Sequence, residues 1–301
     1  MPPPSAIRVG PAGWSYQDWA GIVYPRRRPA GFHEATYLAD YFDTVEINVS
    51  FYRPLTPAMT RGWLARVASN PRFLFTAKLW QRFTHEREYT AADVREFRQG
   101  MDVLLEAGKL GALLLQFPFS FKNTPEERGY LLELGRTLRD FPLVVEVRHA
   151  SWNDAAFYET LTEDGIGFCN IDQPVIGRSL KPTEKTTAAV GYVRLHGRNY
   201  REWFADRPDD AGAERYNYLY SLEELKPWAA RIEHVAADAR LTFVITNNHF
   251  RGQAVTNALQ LIHLLTQKPV RVPPPLLQHY PELEPLASPA GTTPSLFSTN
   301  P

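Results

Sequence analysis

The sequence predicts a single α/β domain, a TIM-type (β/α)8 barrel with parallel strands. Strand-like and helical segments alternate along the chain. The strands and helices fit into about 260 residues, a usual size for such a barrel. The first strand is not followed by the G-x-G-x-x-G fingerprint that would favour the alternative, an open doubly wound sheet. We therefore expect a barrel over residues 1–270.

Strand-like segments recur along the chain. Some are apolar throughout, as expected for strands covered on both faces, and others alternate apolar with polar residues. The predicted strands are residues 7–14, 44–48, 72–79, 110–117, 143–149, 167–172, 191–197 and 241–248.

Longer segments between these strands have apolar residues at helical spacing. One begins with Thr124 and Pro125, a favoured pair at a helix N-terminus, and another ends at a glycine, Gly108. The predicted helices are residues 91–108, 124–141, 221–239 and 253–267.

Two regions depart from this alternation. Residues 198–220 form a polar and aromatic insertion, which could be a lid or an ordinary surface loop. Residues 271–301 are rich in proline and lack periodicity, which predicts a largely irregular tail.

Composition narrows the function. The formal net charge of zero argues against a dedicated nucleic-acid or polybasic membrane surface. The one cysteine, Cys169, excludes an intramolecular disulfide and cysteine-based zinc sites. Neither a signal peptide nor a membrane span is recognisable. We expect a cytoplasmic protein without a membrane partner, and its oligomeric state stays open.

Polar side chains recur at the C-terminal ends of the predicted strands. In residues 44–48, Glu46 and Asn48 alternate with Val45 and Ile47, so one face of the strand is polar. Barrel enzymes place their sites at this end. The side chains expected to face inward are Glu46, Asn48, Thr76, Lys78, Gln116, Glu146, Arg148, Asn170, Asp172, Arg194, His196, Thr246 and Asn248.

An internal ion-pair network that only holds the barrel together is one interpretation of these charges. Burying ions costs several kcal/mol each unless they are well paired, and a barrel that needs only stability fills its interior with Val, Ile and Leu. A ligand site explains the pattern better.

Motifs that span about residues 8–267 resemble the YecE-like family, domain of unknown function 72 (DUF72). They are GWSYQDWAGIVYP (13–25), YFDTVEINVSFYR (41–53), FTAKLWQRFTH (75–85), LGALLLQFP (110–118), EVRHASW (146–152), RLHGRN (194–199) and NNHFRGQAVTNA (247–258). The resemblance implies a TIM-type fold but no established activity. The motif residues it carries over are Glu46, Asn48, Tyr52, Lys78, Gln116, Glu146, Arg148, His149, Trp152, Arg194, His196, Asn247 and Asn248.

Two stretches depart from the family pattern. The first strand has GPAGW where GTSGW is more usual, and the fourth ends in QFPF where Q-x-P-P is usual. Both changes lie in loops near the predicted mouth, so we expect them to alter the shape of the pocket.

The favoured function is an enzyme that acts on a small anionic metabolite, phosphorylated or carboxylated, by acid/base chemistry. Lys78, Arg148 and Arg194 would bind the anion. Glu146 and His196 would transfer protons, with Glu46 as a further acid or base. The side chains expected to orient or enclose the substrate are Asn48, Tyr52, Gln116, Trp152, Asp172, Asn247 and Asn248. Gly252, at the start of the last helix, could receive phosphate.

Other functions stay open. Glu46, Glu146, Asp172 and His196 could hold a metal, as in barrel sugar isomerases or endonucleases, although no close histidine pair is present. Glu46 with Glu146 could be a glycosidase pair, and Lys78 could form a Schiff base. A ligand-binding protein without catalysis, or a nucleic-acid-binding protein, is the non-enzymatic alternative. We expect no cofactor and no bound metal.

Overall fold

A computed structural model of the chain describes residues 6–201 and 212–289, and within them it contains an eight-stranded parallel sheet. Each predicted strand is present, which confirms the barrel prediction. The strands are β1 (Ala6–Pro11), β2 (Thr44–Ile47), β3 (Leu74–Lys78), β4 (Leu110–Gln116), β5 (Leu143–Glu146), β6 (Gly167–Asp172), β7 (Val190–Leu195) and β8 (Leu241–Thr246).

The sheet curls into a nearly closed barrel. Its strand order is β1-β8-β7-β6-β5-β4-β3-β2, and every ladder is parallel. The two ends of this order meet just beyond β1, where Ala12 bridges Glu46 and the Gly13 N–H donates to the Glu46 carbonyl at 2.8 Å. The C-terminal ends of β1 and β2 are therefore joined at the mouth.

Helices surround the barrel. All four predicted helices are confirmed, and two of them, α4 and α8, begin with capping boxes at Thr90 and Ser221. The α-helices are α1 (Glu34–Ala39), α2 (Val49–Tyr52), α3 (Pro57–Arg66), α4 (Ala91–Glu106), α5 (Pro125–Thr137), α6 (Ala155–Glu163), α7 (Gly212–Arg215), α8 (Leu222–Ala237), α9 (Gln253–Thr266) and α10 (Pro274–His279). Shorter 3-10 or π turns are Gln17–Trp19, Arg82–Glu86, Ala150–Trp152, Phe250–Gly252 and Pro281–Leu286.

Glycine at position 10 allows β1 and β2 to approach each other. A Cβ atom there would collide with the carbonyl oxygen of Thr44. We expect Gly10→Ala to lower the free energy of unfolding by about 1–3 kcal/mol, because the strands would have to move apart. Denaturant unfolding measures this change.

Gly129 provides the matched control, because it lies in α5 and a Cβ atom there would meet nothing within 4 Å. Gly129→Ala should raise the free energy of unfolding by about 0.5–1 kcal/mol, since alanine favours the helix. Equal effects of the two substitutions would contradict the close approach at position 10.

The chain beyond residue 270 returns to the barrel in its first part. Within it, α10 and the turn Pro281–Leu286 contribute buried Leu276 and Leu283, and Val270 bridges Ala287. The remainder of the predicted tail, residues 290–301, lies outside the described residues. No helix in the described part of the chain is long and apolar enough to span a membrane.

Candidate functional site

A buried arginine lies at the centre of the mouth. Arg194, near the end of β7, has no exposed surface, and its Nη2 contacts Glu46 Oε1 at 2.7 Å. Its Nη1 contacts Glu146 Oε2 at 2.6 Å. One guanidinium therefore joins two buried carboxylates that come from β2 and β5, so the inward direction predicted for these three side chains is confirmed.

Neutral side chains complete the coordination of this cluster. The Tyr192 hydroxyl lies 2.9 Å from Glu46 Oε2 and 2.9 Å from the Thr76 hydroxyl. It can donate to the carboxylate and accept from the threonine. The Gln116 Oε1 accepts from Arg194 Nη1 at 3.1 Å. These bonds hold the charges in place from several strands.

Glu146 has two further partners. Arg148 Nη2 lies 2.9 Å from its Oε1, and His196 Nε2 lies 3.2 Å from the same oxygen. On the other side of the imidazole, Asn247 Nδ2 is 3.1 Å from His196 Nδ1. An amide nitrogen can only donate, so Nδ1 accepts and the His196 proton resides on Nε2, which donates to Glu146.

The pKa values follow from these contacts. Burial raises the pKa of Glu146, but the facing positive charges, Arg194 foremost, outweigh it and hold this pKa well below its usual range. Burial lowers the pKa of His196 to about 3, although Glu146 opposes the shift. At neutral pH, therefore, Glu146 is an anion and His196 is neutral, and neither has the pKa of an efficient proton donor.

A cavity of about 390 Å³ opens at the mouth. The positive side chains in its wall are Lys78, Arg148 and Arg215, and no carboxylate from the described residues lines it. Its lining residues are Phe51, Tyr52, Lys78, Gln81, His85, Gln116, Pro118, Phe119, Arg148, Gln173, Arg215 and Tyr216. The mouth thus presents positive charge to a ligand, whereas the acids lie buried.

Lys78 occupies the end of β3 and is half-buried. Its Nζ lies 5.4 Å from the centre of the Phe51 ring and has no hydrogen bond or ion pair with the described residues. Burial lowers the pKa of this amine to about 8, and the nearby Arg194 acts in the same direction. Lys78 is therefore a cavity group that can exchange a proton near neutral pH.

A second, more apolar pocket of about 440 Å³ lies beside the first. Tyr52 lines both pockets and is 67% exposed. Asn48 lines the second pocket, where its amide nitrogen donates to the Tyr16 hydroxyl at 3.3 Å. Of the two predicted residues, Tyr52 therefore lines the charged cavity, whereas Asn48 lines only the neighbouring pocket.

The prediction of which β6 side chains point into the barrel is wrong. Cys169 faces the interior, with its Sγ 3.9 Å from Glu146 Oε2. Asn170 faces outward, where its Oδ1 accepts from the Lys185 backbone N–H at 2.7 Å. Asp172 lies two residues after Asn170 on β6, so its side chain also points outward. Backbone groups of the loop after β6 form hydrogen bonds with the outward Asn170 amide. A polar residue at this position therefore did not indicate an inward side chain.

Asp172 is instead part of an ion pair outside the barrel. Arg198 contacts its two oxygens at 2.8 and 3.1 Å, a bidentate arrangement, and also reaches Glu224 at 3.3 Å. Asp172 is nearly fully buried by these contacts and does not line the cavity. Arg198 therefore ties Asp172, at the end of β6, to Glu224 on α8.

The prediction that Thr246 and Asn248 point into the barrel is also wrong. The Thr246 hydroxyl donates to the Ala254 carbonyl at 2.8 Å, and Asn248 Nδ2 donates to Asn257 Oδ1 at 2.7 Å. Both partners belong to α9, which packs outside the barrel. Asn247 faces inward instead. The outward polar groups bind the helix that follows the strand.

Two other predicted residues lie outside the cavity lining. Trp152 is fully buried, and its indole N–H donates to the Phe121 carbonyl at 2.9 Å. Gly252 has a φ of 83°, and a Cβ atom there would lie 2.8 Å from Val23 Cγ2. The Gly252 N–H, which was expected to receive phosphate, donates instead to the His249 carbonyl at 3.2 Å.

Residues of the 198–220 insertion reach the mouth. Arg215 and Tyr216 line the cavity, and Asn199 Nδ2 donates to the Glu214 carbonyl at 2.7 Å. From the sequence, only the polar and aromatic composition of the insertion pointed to a role at the mouth. That composition does not identify Arg215 and Tyr216 as the residues that reach the cavity. Opening and closing of this segment stays a prediction, and residues 202–211 lie outside the described residues.

The donor set of the mouth suits a metal ion poorly. In residues 6–201 and 212–289, no three His, Cys, Asp or Glu side chains are grouped so that they could hold one. Glu46 and Glu146 share Arg194, and Asp172 faces the other way. The four ligands proposed from the sequence are therefore not brought together.

Comparison with known proteins identifies the family. The family model "Protein of unknown function DUF72" matches residues 8–281. The protein belongs to the DUF72 family. The UPF0759 protein YunF of Bacillus subtilis (strain 168) is 29% identical over 274 residues, which cover 86% of this chain and 94% of that protein. The resemblance identified from the sequence motifs is thereby confirmed.

Solved DUF72 structures have the same architecture. A DUF72 family protein from Thermotoga maritima has 33% identity and a TM-score of 0.74, over 87% of this chain and 99% of that one. A DUF72 family protein from Enterococcus faecalis V583, at 24% identity, shares the fold with a TM-score of 0.75, over 86% of this chain and 95% of that one.

Proposed function

We propose that this DUF72 protein is an enzyme that binds a small phosphorylated or carboxylated metabolite in the mouth cavity. The observation that carries the proposal is the charge of the wall. Lys78, Arg148 and Arg215 line it, and none of its lining residues among the described part of the chain is an Asp or a Glu. Positive side chains that line one cavity attract an anion.

The two arginines suit the recognition of an oxyanion. Glu146 holds Arg148 through its Nε at 3.2 Å and its Nη2 at 2.9 Å, which fixes the plane of the guanidinium. Arg215 has a buried Nε without a hydrogen-bond partner in the described residues. A fixed guanidinium fork binds carboxylate or phosphate in a bidentate manner. Arg148 and Arg215 therefore replace Arg194 as the proposed anion ligands.

The roles proposed for the acids change accordingly. Glu46 and Glu146 are both bonded to Arg194, and His196 is bonded to Glu146. We assign these groups to a platform that orients Arg148 and sets the charge beneath the cavity. Lys78, which faces the cavity with a pKa of about 8, is the group proposed for proton transfer.

Binding measurements with the purified full chain test the proposal. Inorganic phosphate, malonate and glycerol phosphate are the probes, titrated by calorimetry at low and at physiological salt. We expect saturable binding that weakens with salt. Arg215→Met should reduce the affinity by at least about 10-fold, since a hydrogen bond to a charged group contributes about 1.5–3 kcal/mol.

Arg136 is the matched control, because it is exposed on α5 and away from the mouth. Arg136→Met should leave the affinity unchanged. Equal affinities of the Arg215 and Arg136 variants, or no binding of any probe, would contradict an anion site at the mouth.

The alternatives have weaker support. A glycosidase pair needs one protonated carboxyl group, but Arg194 contacts both Glu46 and Glu146. A metal-dependent reaction has no grouped ligands in the described residues. A cytoplasmic location is part of our proposal and is suggested by the sequence alone.

A further inference from the structure

The mouth cavity contains an amine, that of Lys78, which has no hydrogen bond or ion pair among the described residues and contacts only the face of the Phe51 ring. The backbone carbonyl of Lys78 accepts from the Ser50 hydroxyl at 2.7 Å, which fixes the end of β3. The side chain then extends past the Phe51 ring to the cavity that Arg148 and Arg215 also line. The amine and the proposed anion ligands therefore face one ligand-sized space.

The acids that could neutralise this amine are already engaged. Arg194 contacts one oxygen of Glu46 and one of Glu146, and Tyr192 contacts the other oxygen of Glu46. No described carboxylate lies within ion-pairing distance of the Lys78 amine. The amine is therefore available to a ligand that enters the cavity.

We propose that Lys78 forms an imine with the aldehyde or ketone group of an anionic ligand. This inference rests on the proposed function, and it narrows the ligand to small carbonyl compounds that also carry a carboxylate or a phosphate. Arg148 and Arg215 would hold the anionic group, leaving the carbonyl carbon to the amine.

The step balances without another reactant. The lone pair of the neutral amine forms a C–N bond to the carbonyl carbon, and the π electrons of the C=O bond move to oxygen, which takes up a proton. The resulting carbinolamine loses water, with the nitrogen lone pair forming the C=N bond. Protonation of the imine nitrogen gives a cation that withdraws electrons from the neighbouring carbon.

The surroundings keep part of the amine neutral. Burial, with Arg194 and Arg148, lowers its pKa to about 8 against the opposing effect of Glu46 and Glu146, so a substantial fraction of the molecules carries a neutral amine at pH 8. Burial also lowers the pKa of His85 and of His249 to about 4, so both stay neutral above pH 6. The ionisable groups around the amine are Glu46, Glu146, Arg148, Arg194 and Arg215 from the barrel and α7, and His85 and His249 from the loops.

Reductive trapping tests the inference on the full chain. Glyoxylate, pyruvate and glyceraldehyde phosphate would each be incubated with the protein and sodium cyanoborohydride, and the modified lysine located by peptide mass spectrometry. We expect Lys78 to be labelled at least 10-fold faster than Lys226, an exposed lysine on α8. The rate should rise between pH 6 and pH 9.

Controls separate a site reaction from chance labelling. Lys78→Arg should abolish the fast adduct, whereas Lys226→Arg should not. Arg215→Met should slow trapping of glyoxylate but leave trapping of acetaldehyde, which has no anionic group, unchanged. Labelling spread evenly over the lysines, or a fast adduct that survives Lys78→Arg, would overturn the inference.

Calorimetry with the same compounds distinguishes failure of the imine inference alone from failure of the proposed anion site. If the anions bind at the mouth but Lys78 is not labelled, the imine is wrong and the proposed anion site stands. If none of the anions binds and none labels Lys78, both are wrong.

Discussion

Replacing Arg194 with methionine is expected to lower the free energy of unfolding by about 3–5 kcal/mol, because it leaves two buried carboxylates without their shared partner. Arg194, Glu46 and Glu146 are each fully buried, and the guanidinium contacts both acids within 2.7 Å. Urea unfolding monitored by circular dichroism measures the change.

A control and a rescue make this prediction specific. Arg95 is exposed on α4, so Arg95→Met should change the stability by less than about 0.5 kcal/mol. If the loss comes from uncompensated charge, adding Glu46→Gln and Glu146→Gln to the Arg194 variant should restore part of it. Equal stability of the Arg194 and Arg95 variants would contradict a structural role for the buried arginine.

Acid is expected to destabilise the fold from about pH 6.5 downward. His196 has a usual pKa of 6.5 and a folded-state pKa of about 3, so the unfolded chain binds more protons than the folded chain between these values. Stability then falls with falling pH, by about 1.4 kcal/mol per pH unit for one such imidazole. Glu146, whose pKa is held below 4.5, adds a further loss below that pH.

The pH dependence can be assigned to the buried imidazole by substitution. His196→Gln should reduce the slope of stability against pH between about 4 and 6.5 by about 1.4 kcal/mol per pH unit, because glutamine does not titrate, while His85 and His249 keep their own contributions. His234→Gln is the control, since His234 is exposed on α8 and should leave the slope unchanged. A slope that is the same in the His196 variant and the unmodified protein would contradict the prediction.

The fold was predictable because the barrel's pattern is local. Alternation of strands and helices, the cap at Thr124 and the apolar run of β4 before Gln116 each depend on nearby residues. Inward polarity was also predictable for β2, β5 and β7, where Glu46, Glu146 and Arg194 meet.

The site features that the sequence did not predict depend on contacts between distant parts of the chain. Asn170 has the same alternation as Glu46, yet a loop 15 residues later satisfies its amide on the outside. Arg215 reaches the mouth from an insertion whose folding no local pattern specifies. The sequence also does not show that Arg194 forms ion pairs with both Glu46 and Glu146. Because of these ion pairs, Arg194 belongs to the platform and is not a proposed anion ligand.

The platform and the cavity form two layers of one arrangement. Below, Arg194, Glu46 and Glu146 neutralise most of one another's charge, and Glu146 also holds Arg148. Above, Lys78 and Arg215 add positive charge that no described carboxylate in the wall offsets. A buried network of this kind gives the upper layer a fixed geometry, which is what selective binding of an anion requires.

A crystal structure of the protein grown with selenate, analysed by anomalous scattering from selenium, tests the anion site most directly. We predict an anomalous peak in the mouth cavity, within hydrogen-bonding distance of Arg148 or Arg215 and close to Lys78, and its loss in the Arg215→Met variant. Selenate bound only elsewhere on the protein, with the cavity free of anomalous density, would contradict an anion site at the mouth.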